Sequence, residues 1–545
     1  MVDWTSNWAG IAVAGAVICA VSMGVKFVNG LQVSVVDNGI EEDSHVVNHW
    51  PGVRCAVAPT SRLGILNPLN SGLTWLWMKR SFDFYEQFGT DTISMVPFIA
   101  GKPQFYTANV DVARQVVGGG AQAAWIKPPS PLLDEWGTNL FTAERDVWLR
   151  HRKIIGPAFN NDMYSLVWEQ TVGIYHDIVK HEGWLDRMIV QIPIVQNFTS
   201  KLAFLIIAVC GFGMKASWSD ETNTHRGDMS ISEALRIFTM PSVFRFFPAF
   251  ASKWPIKALR EISTARHLLD SYMRDQVDER RELVKTQITM NEESGRDIFS
   301  LLVRANELNA RSAQDWKMML TDNELISNVF LLLFAGHETT AHTLAATFAL
   351  LAVHQDVQDD IHRQIIDVVG PDRDPTADEY HKLNKVLNAF YEAGRMFPAS
   401  FLMVREAAED TSLVIPNSPG GGETTIVVPQ GTGMIIDTLG MENNPRYYPE
   451  PTKFMPSRWE GEDKADLVTG FSFGQRNCIG RRFSQTEAVA FLTMWLRDWK
   501  VEPLLNPGET INGWRARVLE AQFFFTLGVK DVPILLKRRV TGSSA

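Results

Sequence analysis

Cysteine is scarce and shows no paired spacing. Four occur in 545 residues, at positions 19, 55, 210 and 478, so neither a disulfide framework nor a zinc knuckle is supported, and a reducing compartment fits. Basic residues are outnumbered, 52 Lys and Arg against 62 Asp and Glu, for a formal net charge of -10. No basic run supplies the face that a phosphate backbone calls for, which excludes a nucleic-acid binder. Proline, glycine and serine form no linker tract, and neither an internal repeat nor a low-complexity segment occurs. The length prior of about three domains therefore yields to one large folded unit. Its core is well supplied, with 45% hydrophobic against 21% charged residues.

One apolar run stands apart. Trp8 to Val25 carries no charge and has Ser22 as its only conventionally polar side chain, just long enough at ~1.5 Å per residue to cross a hydrocarbon layer of ~30 Å. Asp3 precedes it and no Lys or Arg does, unlike the basic start of a cleaved signal peptide. The expectation is a membrane anchor over 1–28, a linker over 29–50 and a single catalytic domain over 51–545, entered at the stiff turn His49-Trp50-Pro51-Gly52. Lys26 is the nearest basic residue, so charge alone leaves the orientation open.

Most long segments read as helices. The clearest starts at Thr321, whose spacing to Glu324 fits a capping box, and runs past Leu350 into the His354 region. Its middle, Val329 to Ala335, is apolar all round, which places the helix through the centre of a globule. Strand-like alternation is confined mainly to Thr424–Asp437, broken by Pro429, Gly431 and Gly433, and to Phe523–Lys537. The fold class is mainly α with small β-sheets.

Two places in this pattern carry chemistry. In Phe471-Ser472-Phe473-Gly474-Gln475-Arg476-Asn477-Cys478-Ile479-Gly480 a cysteine sits in a glycine-framed turn ahead of a helix. Backbone N–H groups there and the nearby Arg476, Arg481 and Arg482 should lower the thiol pKa and suit a metal-bound sulfur. In Ala335-Gly336-His337-Glu338-Thr339-Thr340 small and polar residues interrupt the apolar helix. Gly336 costs about 1 kcal/mol of helix stability relative to Ala and lets a ligand approach the backbone. Thr339 can bond back to a carbonyl and open the ladder locally. His337 and His342 are five apart, not four, so they do not share a helix face as a zinc pair would. Gly211-Phe212-Gly213 mimics a dinucleotide fingerprint, but polar loop residues follow, and the glycines better end the helix before them.

The cysteine stretch matches every fixed position of F-x-x-G-x-R-x-C-x-G, the haem-binding signature of the cytochrome P-450 family. Five specified positions recur by chance in such a chain with a probability of roughly 10^-4. The resemblance extends from about Pro51 to Arg539 and implies the family fold, with haem b held between the long central helix and the helix after Cys478. It implies Cys478 as the axial iron ligand, favouring O–O cleavage, with Glu338 and Thr339 as the proton-delivering pair of A-G-x-[DE]-T-[TS]. It further implies a structural triad of Glu392 and Arg395, from E-x-x-R, with Arg458 in Phe454-Met455-Pro456-Ser457-Arg458-Trp459. Trp148 and Arg152 resemble the family's W-x-x-x-R propionate clamp, joined by Arg405 and Arg476.

The resemblance thus implies a membrane-anchored monooxygenase that inserts one oxygen atom of dioxygen into a lipophilic small molecule, with the look of fungal specialised metabolism. Terpenoid, sterol, polyketide and fatty-acid scaffolds all suit an apolar pocket drawn from Trp125–Thr138, Ile237–Trp254, Phe330–Phe334, Ala399–Val404 and Phe523–Leu527. Phe244, Phe246, Phe247, Phe250 and Trp254 suggest a second bilayer contact. No flavin or nicotinamide module is left over, so electrons should come from an NADPH-dependent reductase, with cytochrome b5 as a further donor. Arg150, Lys153, Arg481 and Arg482 are the expected docking charges. The expected location is the endoplasmic reticulum membrane, single-pass, with the catalytic domain cytosolic. Rival readings are a haem-thiolate isomerase, dehydratase or peroxygenase needing no external electrons, and a membrane-tethered haem sensor.

Overall fold

A computed structural model describes residues 50–539, apart from 59–81, 119–123, 131, 215, 220–228, 240–253, 255, 291–294, 312–318, 417–420, 462–468 and 524–525. The expected anchor, nearly all of the linker and the Phe244–Phe250 patch lie outside the described residues. No helix among the described residues is long and apolar enough to cross a membrane. The strands, in chain order, are β1 (Gly52–Val57), β2 (Thr92–Ala100), β3 (Gln104–Thr107), β4 (Trp125–Ile126), β5 (Ile189–Ile192), β6 (Leu402–Ala407), β7 (Thr411–Pro416), β8 (Glu423–Val428), β9 (Gly433–Asp437), β10 (Trp499–Pro503), β11 (Ala521–Phe523), β12 (Leu527–Val529) and β13 (Ile534–Arg538).

The described residues group into two units, one holding those up to Pro128 with Leu402–Pro449, the other Pro129–Phe401 with Glu450 onwards. The first unit is built on a six-stranded sheet of order β1-β2-β3-β9-β6-β4, with β7 and β8 as a separate hairpin. Strand β9, Gly-Met-Ile-Ile-Asp, is buried at every position. That explains why it reads as an apolar run rather than an alternation, since it is covered on both faces. It pairs parallel to β3, Phe105 opposite Met434, and antiparallel to β6. Pro97 of β2, which has no N–H to give the ladder, lies opposite Cys55, where the register of β1 begins to slip towards Val57. At the end of β9 the Asp437 carboxylate accepts from the buried Tyr85 hydroxyl at 2.7 Å and from Gly440 N at 2.8 Å.

In the second unit six helices position the chemistry: α1 (Arg145–Ile155), α2 (Asn161–His181), α3 (Gln196–Ile206), α4 (Asp322–Val353), α5 (Asn384–Met396) and α6 (Arg481–Asp498). Helix α4 begins with the expected capping box. Thr321 Oγ1 accepts from Glu324 N at 3.3 Å, and Glu324 Oε2 accepts from Thr321 N at 2.8 Å. It stays α-helical for 32 residues and is buried at nearly every position from Leu325 to Ala352, so its stability comes from packing on all sides. Phe348 of α4 meets Phe491 and Trp495 of α6, and Trp184 closes on Trp495 and Trp499. Helix α3 runs into a π-helical turn, Ile207–Gly211. Gly213 then takes a left-handed φ of 62° while Met214 N reaches back to Ala208 O at 3.0 Å. These glycines end a helix, as expected, and open no dinucleotide loop.

Candidate active site

Cys478 sits in a turn held by its own backbone. Its N–H donates to Phe471 O at 2.9 Å, Asn477 N donates to Gly474 O at 3.2 Å, and Ser472 and Gly474 take left-handed φ values of 60° and 67°. Such strain in a non-glycine residue marks a turn whose shape is fixed by its surroundings. Gly480 N–H points at the sulfur. The expected lowering of the thiol pKa does not hold in the protein alone. Burial pushes it up from its ordinary value, outweighing the Gly480 N–H, Arg152 and Arg481, which pull it down. The residue nonetheless keeps accessible surface.

A matching opening occurs on α4. Between Leu325 and Val353 the exposed residue is Ala335, and Thr339 Oγ1 donates to its carbonyl at 2.8 Å. The helix is not opened by that bond, contrary to expectation, because it remains α-helical throughout. Gly336 also differs from its expected use. A Cβ there would meet Ile207 Cδ1 at 2.9 Å, so the missing side chain admits the π-turn that follows α3, and Ala335 is what faces the open space. Thr340 Oγ1 bonds Ser484 Oγ at 3.0 Å, which fixes α4 alongside the helix that follows Cys478. Glu338 Oε1 accepts from Thr526 Oγ1 at 3.1 Å. His337 packs edge-on against Phe204, and no cluster of metal-binding side chains occurs among the described residues.

The predicted propionate residues divide between the units. Trp148 is buried on α1 with the Arg476 guanidinium over its ring at 4.8 Å. Arg476 Nη2 donates to Ala143 O at 2.7 Å and Glu144 Oε2 at 3.0 Å, while its buried Nη1 has no acceptor among the described residues. Arg152 Nη2 donates to Asn477 Oδ1 at 3.2 Å. A buried guanidinium N–H left over beside the cysteine turn fits the carboxylate of a haem propionate. Arg405 lies on β6 of the other unit, buried, with Nη1 bonded to Val404 O at 2.8 Å.

The three triad residues meet. Glu392, fully buried, accepts from Arg395 Nε at 3.0 Å and Nη2 at 2.9 Å, and from Arg458 Nε at 3.0 Å. Two further donors complete the carboxylate, Met455 N at 3.0 Å and Trp459 Nε1 at 2.9 Å. The sequence reading missed Trp459 as a partner, although it closes the very motif that pointed to Arg458. Arg150 is taken up by Glu324 and Arg482 stacks on Tyr380, leaving Lys153 as the exposed member of the four expected docking charges. Trp136, Phe238, Phe330 and Phe334 form a buried aromatic cluster beside α4, with Trp136 and Phe330 centroids 4.7 Å apart.

The cytochrome P-450 family profile matches residues 93–521. Cytochrome P-450 monooxygenase 124 of Postia placenta is 34% identical over 503 residues, covering 90% of this chain and 94% of its own. Cytochrome P-450 monooxygenase prx9 of Penicillium rubens is 26% identical, covering 73% of each. A zebra fish cytochrome P-450 solved with progesterone shares the fold, with a TM-score of 0.65 at 19% identity over 84% of this chain and 98% of that one. The chain belongs to the cytochrome P-450 family. It is a monooxygenase whose cofactor is haem b.

Proposed function

We propose that this enzyme inserts one oxygen atom of dioxygen into a lipophilic small molecule of fungal specialised metabolism, for example a terpenoid, using electrons from NADPH passed through a separate reductase. The observation that carries the reading is the cysteine turn, with the Gly480 N–H directed at the Cys478 sulfur and Arg476 holding a spare buried N–H beside it. Fungal monooxygenases among the relatives support the setting. So does a relative of Streptomyces melanosporofaciens, 31% identical over 238 residues, named for oxidising cyclooctat-9-en-7-ol, an unsaturated alcohol by its name.

In this reading bound haem would supply the redox chemistry of dioxygen. Cys478 would ligate its iron through sulfur, with Gly480 N–H directed at the sulfur. Arg476, Arg152 and Trp148 would hold the propionates. Thr339 commits its own proton to Ala335 O, so its oxygen is left to accept and orient a proton beside the reacting site, while Glu338 passes protons inward. Glu392, Arg395 and Arg458 hold the fold that carries the cysteine turn. The buried aromatic cluster walls the substrate space and excludes water. Trp8–Val25 anchors the enzyme in the endoplasmic reticulum membrane with its catalytic part cytosolic.

The ferrous carbon-monoxide difference spectrum tests the sulfur ligand. Substrate turnover that requires NADPH and added reductase tests the oxygenase against an isomerase, a peroxygenase or a sensor. A metabolite comparison between a deletion strain and its parent identifies the substrate. A thiolate spectrum with substrate conversion independent of electrons would overturn the oxygenase reading.

A further inference from the structure

The side chain of Glu338 does not end its network at Thr526. Thr526, buried ahead of β12, lies between two groups of α4: its Oγ1 is 3.1 Å from Glu338 Oε1 and 2.7 Å from His342 Nδ1, and its N–H points at the same carboxylate oxygen at 3.4 Å. Glu338 and His342 are one helical turn apart, so both face the segment that Thr526 leads into. That segment is shaped for the imidazole. At Gly528 a Cβ would lie 3.2 Å from His342 Cγ and 3.3 Å from Nδ1, so the absent side chain lets the ring lie against the backbone of β12.

The hydrogens in this chain have one consistent arrangement when Glu338 is ionised. A hydroxyl carries a single proton. If Thr526 donates it to the carboxylate, its oxygen must accept from His342, and the proton of the imidazole must then sit on Nδ1. Burial pushes His342 down to about 4, so the ring is neutral at pH 7 and holds one proton, whose position the network decides.

We propose that Thr526 and His342 are positioning residues for Glu338: His342 Nδ1–H sets the direction of the Thr526 hydroxyl, and the hydroxyl holds the carboxylate in the orientation from which it serves Thr339. This rests on the reading of Glu338 as the proton-relay acid. Neither residue touches the reacting atoms. Each acts through Glu338, and Gly528 acts by seating His342.

The test uses full-length protein with its haem, loading being read from the ferrous carbon-monoxide spectrum, and histidine labelled with 15N in the ring. In the parent and in Thr526→Ser, His342 is expected as the Nδ1–H tautomer. In Thr526→Val, which keeps the shape and loses the hydroxyl, the nitrogen shifts are expected to report a mixture of tautomers. With NADPH and added reductase, the share of reducing equivalents lost as hydrogen peroxide should rise at least about 5-fold in Thr526→Val and His342→Phe, and stay near the parent in Thr526→Ser. Gly528→Ala, which leaves every polar atom in place but unseats the ring, should behave like Thr526→Val. An Nε2–H tautomer in the parent overturns the proposal, as does an unchanged peroxide share in Thr526→Val at equal haem content. Loss of the thiolate spectrum in the parent would instead overturn the assignment of Cys478, and it reads out separately.

Discussion

Trp459 donates its indole N–H to Glu392 Oε2 at 2.9 Å, the same carboxylate oxygen that Arg395 Nε reaches at 3.0 Å. The carboxylate thus accepts at both oxygens while fully buried, and each donor is committed. Trp459→Phe removes one donor and leaves a smaller aromatic ring in its place, so it should cost about 1–3 kcal/mol of stability. Glu392→Ala strands two buried guanidinium groups and should cost about 3–5 kcal/mol, enough to abolish soluble holoprotein. Denaturant unfolding of the first variant and haem content of the second measure these outcomes. A Glu392→Ala protein with parental haem content would remove the triad from the account.

Replacing Cys478 by Ala takes away the proposed iron ligand and leaves the turn, whose shape is held by Phe471 O and Gly474 O. The variant should fold, bind less haem and lose the thiolate form of the ferrous carbon-monoxide spectrum. Absorption bands identical to those of the parent would show that the sulfur is not bound to iron.

Arg476→Ala leaves the Trp148 ring without its cation and the proposed propionate without its donor. Haem should be lost about 10-fold faster to an apo-globin acceptor, because a buried charge-assisted bond is missing. Arg476→Lys is expected to restore only part of the retention, since an ammonium cannot reach Ala143 O, Glu144 and a third acceptor with one planar fork. Equal loss rates in all three proteins would place the propionates elsewhere.

Burial pushes the Asp437 carboxyl up to about 7 from its ordinary 3.8, and the Tyr85 and Gly440 donors only partly offset this. A group raised in the folded state favours folding below its unfolded pKa and loses that contribution as pH climbs through the folded value. Stability should therefore fall between about pH 4 and pH 7, by up to about 1.4 kcal/mol per unit, and level off above. Asp437→Asn keeps an acceptor for Tyr85 and cannot ionise. Its thermal midpoint relative to the parent should rise from pH 5 to pH 7 and then stay constant. A difference that is flat across that range would mean Asp437 ionises normally.

Much of the second unit was legible in the residues. The capping box and the all-apolar middle of α4 located it to within a residue or so at both ends, since local backbone bonds and uniform burial leave a strong pattern. The first unit was largely hidden. Strand β3 pairs with β9, more than 300 residues away along the chain, and such a partner cannot be read locally. A unit assembled from two distant segments also leaves no linker between them. At the site, motif spacing brought Glu392, Arg395 and Arg458 together correctly, but it assigned Gly336 to the ligand when Ile207 fills that position. It could not find Thr526 or Gly528, because their importance arises only from where β12 passes α4.

Ala335 offers one methyl group at the single exposed position in a stretch of helix otherwise closed by its neighbours. Under the proposed function, each carbon added to this side chain would take room from the substrate space, and it would replace no side chain that makes a cap, ion pair or hydrogen bond. Selection can therefore retune which molecules fit, and in what pose, at almost no cost to folding.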